Sequence, residues 1–233
     1  VASGFSNVGY NPVLIDLDGD GDKDMVAIAQ NIVAWFENNP TPIITTQPIS
    51  QSKCINSSTT FSASATYGVC YQWQYDSGSG FVNLSNGGNF SGVFTSTLTV
   101  SNIPLSFSGY QFRCVITNTG NSVTTSSAGL TVNTLPVASF TATGPVTINE
   151  DAIIEYTGET SSSDTYNWQW AGATSSPTGA GPHNVNWNTV GTKEIIMSIT
   201  NNNGCTSLQD TQYVVVNPSS AFTIDVDEIC MLE

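Results

Sequence analysis

The chain has 233 residues, 39% of them hydrophobic and only 9% charged, with 18 Asp and Glu against 4 Lys and Arg and a formal net charge of -14. So acidic a chain cannot neutralise phosphates, which excludes nucleic acid and anionic membrane as partners. No run is long and apolar enough to cross a bilayer, and the length provides for two ordinary domains or a little more.

The first element in chain order is an acidic stretch, Asp16-Leu17-Asp18-Gly19-Asp20-Gly21-Asp22-Lys23-Asp24. Two carboxylates about 4 Å apart at a protein surface repel by an amount on the order of 4 kcal/mol, so a cluster of them favours a bound cation. Oxygen ligands at alternate positions fit Ca2+. The expected ligands are Asp16, Asp18, Asp20, Asp22 through its carbonyl, and Asp24, with Gly21 permitting the turn. An EF-hand is excluded because its twelfth loop position, which needs a bidentate Glu, is Ala27. Immediately beyond the stretch the sequence reads as two short apolar strands, residues 25–29 and 32–36, around a turn at Gln30-Asn31. With these residues the segment resembles the FG-GAP or VCBS repeat of integrin-like β-propellers, which implies a calcium loop inside a blade. Every ligand position is filled by protein, so the metal is read as structural and not catalytic.

Pro40-Thr41-Pro42 then reads as a stiff linker. Beyond it, strand candidates fall at residues 59–65, 71–76, 96–100, 110–117 and 128–132, separated by Gly-, Ser- and Asn-rich turns. That rhythm predicts a β-sandwich. Through Tyr71-Gln72-Trp73 and Phe112-Arg113-Cys114 the segment resembles a bacterial immunoglobulin-like domain. The resemblance implies a buried Trp73 on the third strand and Cys114 on the penultimate one. Phe112 stands where the family has its corner tyrosine, and the second strand offers Phe61 or Ala63 in place of the partner cysteine. A substitute bridge from Cys114 to Cys54 or to Cys70 is expected, and spacing does not choose between them.

The next segment carries Tyr166-Asn167-Trp168-Gln169-Trp170, Trp187, Val190-Gly191-Thr192 and Asn203-Gly204-Cys205. It resembles a PKD domain, another extracellular β-sandwich. Cys205 has no evident partner within it, and Phe140-Thr141 recurs as Phe222-Thr223, as though a further repeat begins. The expected fold is therefore all-β. A propeller-type calcium-binding hairpin or blade (residues 1–39) precedes an immunoglobulin-like sandwich (40–134), a PKD-like sandwich (135–218) and the start of another PKD-like repeat (219–233). The chain is expected to be cut from a longer one, with Cys230 awaiting a mate beyond its end.

Catalytic constellations are sparse. His183 stands alone in a turn entering a strand and is expected at the surface or an edge, while Glu155, Glu159, Asp164 and Asp210 are scattered. No enzyme is expected. Tyr166, Trp168 and Trp170 alternate on one strand face, so Trp170, or Tyr75 in the preceding domain, would stack on a sugar ring if exposed, and would otherwise fill the core. The expected role is a non-catalytic, calcium- and disulfide-stabilised spacer of a long extracellular or cell-surface protein. The module mix resembles the adhesins and gliding-associated filament proteins that Bacteroidota-type bacteria export by type IX secretion. Its expected partners are neighbouring β domains of the same chain, with a surface glycan or another cell-surface protein as candidates. The alternative is an accessory region, glycan-binding or not, of a secreted polysaccharide- or protein-degrading enzyme.

Overall fold

The computed structural model describes residues 12–17, 23–29, 32–38, 40–68, 70–159, 161 and 163–220. These divide into two compact units, residues 1–133 and 134–233. Apart from one short 3-10 turn, every regular element among the described residues is a β-strand.

The first unit opens with a three-stranded antiparallel sheet of β1 (Val13–Ile15), β2 (Asp24–Ala29) and β3 (Ile32–Phe36). The acidic stretch joins β1 to β2, so the residues after it form a strand and not the helix an EF-hand requires. Cross-strand neighbours alternate in face, and here both faces are apolar. Val13, Val26 and Trp35 lie in register on one side, Leu14, Met25 and Phe36 on the other. Val13 is 59%, Leu14 62% and Trp35 48% exposed.

The sandwich of this unit comes next, with β4 (Ile43–Thr46), β5 (Gln51–Cys54), β6 (Thr59–Ser62), β7 (Ser64–Thr66), β8 (Cys70–Asp76), β9 (Val82–Asn83), β10 (Phe90–Ser91), β11 (Thr97–Val100), β12 (Gln111–Thr117), β13 (Ser122–Thr124) and β14 (Ala128–Asn133). One sheet runs β10-β11-β6, with the pair β4-β7 continuing the chain segment of β6. The other runs β5-β14-β12-β8-β9, with β13 also on β12. This is the two-sheet arrangement of an immunoglobulin-like domain, in which the first segment leaves one sheet and joins the last strand of the other. The alternation expected at residues 110–117 and 128–132 appears as burial of Phe112, Cys114 and Ile116 on β12 and of Ala128, Leu130 and Val132 on β14. Trp73 is fully buried, and its indole N–H donates to the Thr95 carbonyl at 2.9 Å.

Cys114 forms no bridge to either expected partner: Cys70 and Cys114 are both free thiols, while Cys54 is disulfide-bonded. The geometry of the sheet explains this. Cys54 lies on β5, separated from the β12 strand of Cys114 by β14, so about 9–10 Å of sheet intervenes. Cys70 pairs with Thr117, three residues along β12 from Cys114, an offset of about 10 Å. A disulfide needs Cα atoms within about 7 Å. Across the sandwich, rings occupy the centre: Phe61 stacks on Phe112 with centroids 4.8 Å apart. Such a contact contributes about 0.5–1.5 kcal/mol beyond its burial.

The second unit contains β15 (Phe140–Ala142), β16 (Val146–Thr147), β17 (Ala152–Tyr156), β18 (Thr165–Trp170), β19 (His183–Val185), β20 (Gly191–Thr200) and β21 (Asp210–Asn217). They form a three-stranded sheet, β15-β17-β19, facing a four-stranded sheet, β16-β21-β20-β18. Ile195, Met197 and Ile199 of β20 alternate into the core beside Ile154, Val185 and Trp187, all fully buried. Cys205 is buried and disulfide-bonded.

The two units share a device where the ladder on a central strand breaks. Between β13 and β14, Thr125 takes over: its hydroxyl accepts the Cys114 N–H at 2.9 Å, and its own N–H donates to the Cys114 carbonyl at 2.9 Å. In the second unit, Ser207 does the same for Ile199, at 3.0 and 2.9 Å. A hydroxyl thus stands in for the missing backbone carbonyl, so neither buried N–H is orphaned.

Candidate functional site

Asp24 anchors the acidic stretch. The residue is fully buried, yet its carboxylate is well supplied with donors: the Leu17 N–H reaches Oδ2 at 3.1 Å and the Asn38 N–H reaches Oδ1 at 3.0 Å. Burial works to raise its pKa, but these two N–H groups and a hydrogen bond from the Trp35 side chain outweigh it, holding the carboxyl below its ordinary value of 3.8. Asp24 is therefore a carboxylate at neutral pH, with lone pairs left on each oxygen. Asp16 comes directly after Ile15, the residue paired with Asp24, and is exposed. The two ends of the acidic stretch are thus brought to the same end of the β1–β2 pair. The other expected ligands, Asp18, Asp20 and Asp22, lie outside the described residues, as does the turn expected at Gln30-Asn31. Among the described residues no group of three or more His, Cys, Asp or Glu is placed to hold a metal. Of the five expected oxygen ligands only Asp16 and Asp24 are described, and a full set of that kind would suit Ca2+.

Of the two places expected for His183, surface or edge, the structure gives the edge: the residue is 7% exposed. It lies on the edge strand β19, but its ring turns inward, edge-on to Trp168 at 5.6 Å and to Trp170 at 5.7 Å, with Nε2 3.1 Å from the Gly179 carbonyl. Gly181, at φ 90°, allows the turn before it. No nucleophile hydrogen-bonds this ring among the described residues, so it acts as packing.

The Trp pair has the same character. Trp168 and Trp170 stack at 4.8 Å and are half-buried, and their indole N–H groups donate to the carbonyls of Gly179 and Pro177 at 2.8 and 3.1 Å. Together with His183 they hold down the connection from β18 to β19. Tyr75 is also half-buried, stacked on Phe90 and Tyr110. Trp170 has Trp168 against one face and also lines a shallow recess with Gln169, Ala171, Glu194 and Ile196, whereas Tyr75 is packed between the rings of Phe90 and Tyr110.

Sequence reasoning missed an open recess of about 640 Å³ within the second unit, lined by Pro136, Val137, Glu159, Asp164 and Asn201 among others. Nearby, two tyrosines differ in how they are satisfied. Tyr156 Oη sits 3.0 Å from the Val137 carbonyl and 2.9 Å from the Glu159 carbonyl, whereas the buried Tyr166 Oη has no partner among the described residues. Burial raises the pKa of both, helped by the Asp164 charge. No local motif marks this difference, because the partners are main-chain carbonyls.

Neither a family model nor a curated protein matches the chain. Among solved structures it is similar to the I-band fragment I67-I69 of titin, at 16% identity and a TM-score of 0.43, over 77% of this chain and 66% of that one. It is also similar to the insect immune protein hemolin, at 13% identity and a TM-score of 0.42, covering 84% of this chain and 56% of hemolin. A single titin domain, M4, aligns with 42% of this chain at 21% identity and a TM-score of 0.34. The chain thus spans less than two-thirds of the length of the first two. The class of the protein rests on its own strand order: an all-β chain with two sandwich units, the first immunoglobulin-like in topology.

Proposed function

We propose that this chain is a non-catalytic, tension-bearing spacer from a long extracellular surface protein. One observation carries the reading. In each sandwich, a strand near the start pairs in parallel with the last strand: Gln51 to Cys54 with Leu130 to Asn133 in the first unit, Val146 and Thr147 with Val216 and Asn217 in the second. Chain entering one strand of a parallel pair and leaving the other departs at opposite ends. Tension along the chain then shears the whole ladder at once and does not peel it bond by bond.

In this reading the second sandwich is a PKD-like module, and the amino-terminal sheet is one blade of an FG-GAP or VCBS propeller whose other blades cover its apolar faces. Ca2+ held by Asp16, Asp18, Asp20, Asp22 and Asp24 offsets part of the loop's negative charge and ties its ends together. A Bacteroidota-type adhesin exported by the type IX route fits this order of modules, with neighbouring β domains as its partners.

Single-molecule force spectroscopy on the full chain tests the proposal. The first sandwich, with four registered pairs in its parallel ladder, is expected to unfold at higher force than the second, with two. Equal forces, or unfolding of both at the low forces typical of peeling, would refute it.

A further inference from the structure

Arg113 is the chain's single arginine, half-buried on β12 opposite Gln74 of β8. Its Nε donates to Gln74 Oε1 at 2.8 Å, and Gln74 Nε2 in turn donates to Asn83 Oδ1 at 2.8 Å. The ring of Phe81 lies against the guanidinium, with Cζ 3.9 Å from the ring centroid. A cation–π contact on one face and a hydrogen bond on one edge thus fix a planar group that would otherwise swing on a long side chain. Yet among the described residues no carboxylate pairs with it, in a chain that carries 18 Asp and Glu. Asp76, on the same sheet face, uses Oδ1 for the N–H groups of Gly78 and Gly80 at 2.7 and 2.9 Å. With Nε occupied by Gln74, the two terminal amino groups of Arg113 form an end-on fork, a geometry that takes both oxygens of one carboxylate.

We propose that Arg113 anchors a binding site for an acidic sugar, whose carboxylate sits on the guanidinium fork. The site lies wholly within the first unit and does not depend on the spacer reading. Its neighbours select the sugar. Strand alternation places Gln72, Gln74 and Asp76 of β8 and Gln111 and Val115 of β12 on the face of Arg113, so amides dominate it. A protein partner needs an apolar centre to its interface, whereas amides, which both donate and accept, match hydroxyl groups that do the same. The amide of Gln111 extends over Gly129, where a Cβ would come within 3.1 Å of Nε2, and Asn83 is exposed at the end of the Arg113–Gln74 chain of bonds. The net charge of -14 does not forbid one carboxylate here: at physiological salt exposed charges are screened beyond about 8 Å, and one carboxylate needs one fork where a phosphate backbone needs many.

The experiment uses the full chain labelled with 15N, in which one arginine gives one side-chain Nε–Hε signal. Glucuronate, glucose and a blocked glutamyl peptide are titrated separately at fixed ionic strength, and the backbone amides of β8 and β12 are followed alongside. Glucuronate is expected to move the arginine signal and to bind about tenfold more tightly than glucose, which lacks the carboxylate. It is expected to bind about threefold more tightly than the peptide, which lacks the hydroxyls. Arg113→Lys keeps the charge but neither the fork nor the stacking plane. Gln74→Glu keeps the shape of the neighbour and sets an internal carboxylate on the guanidinium, so it carries the test even if the lysine variant folds poorly. Each variant is expected to weaken glucuronate about fivefold or more, read from the backbone amides. No response to glucuronate, glucose binding as tightly, or wild-type affinity in a folded Gln74→Glu variant overturns the site. A peptide that binds as tightly as glucuronate overturns the sugar assignment.

Discussion

Replacing Thr125 by Val removes a hydroxyl while keeping shape, and it isolates the ladder-bridging device of the first sandwich. The Cys114 N–H that this hydroxyl receives belongs to a fully buried residue, and the 2.9 Å contact is its link across the break between the two strands. Stranding a buried donor costs about 1–3 kcal/mol. Thr125→Ser keeps the hydroxyl and removes one methyl, a loss of about 0.8 kcal/mol when buried. For a sandwich of under about 100 residues, each kcal/mol moves the melting temperature by about 4–8 °C. The order expected from calorimetry is wild type, then Ser, then Val, with the Val variant falling by about 2 kcal/mol. Amide hydrogen exchange at Cys114 should quicken in Val and hold in Ser. A Val variant as stable as wild type, or a Ser variant less stable than Val, would refute the view that the side-chain oxygen completes this ladder.

The two tyrosines of the second unit should respond in opposite directions. Tyr156→Phe gives up contacts to two carbonyls and is expected to cost about 1 kcal/mol, whereas Tyr166→Phe deletes a hydroxyl with no partner among the described residues and is expected to be neutral or stabilising by up to about 1 kcal/mol in chemical denaturation. The Cys114 thiol is pushed up from its ordinary 9.0 to about 11 by burial, against a weaker opposing hydrogen bond from the Gln72 backbone. The folded state thus holds this proton more tightly than the unfolded one. Its contribution to stability is whole below pH 9.0 and is lost as pH climbs towards 11, so Cys114→Ala should flatten the alkaline fall in stability of the first unit. Alkylation and then peptide mapping at neutral pH should label the exposed Cys70 and spare Cys114 until the unit unfolds.

Strands that bury one face were legible in the sequence because their own residues alternate. The stretches expected at 71–76, 96–100, 110–117 and 128–132 fall within a residue of β8, β11, β12 and β14. The stretch at 59–65 divides into β6 and β7 around the buried Ala63. Gln51 to Cys54 and Ser122 to Thr124 carry almost no apolar signal, since their places are set by the ladders of β14 and β12. Trp73 and Cys114 could be assigned to the core from their motifs, but the bridge could not, because it depends on strand order and register. The edge position of His183 was legible but its burial was not, for a related reason: that burial is created by Trp168 and Trp170, two rings already assigned to one face but not yet to a neighbour across the sandwich.

With Phe61 on Phe112 at its centre and Cys114 left as a thiol, the first sandwich draws its cross-sheet cohesion from aromatic and aliphatic side chains, which are indifferent to the ratio of reduced to oxidised glutathione. Such a core can be completed on a nascent chain inside a reducing cytoplasm, before any oxidase has been met. Reductant strong enough to open the sulfur link at Cys54 would leave the packing around Trp73 in place.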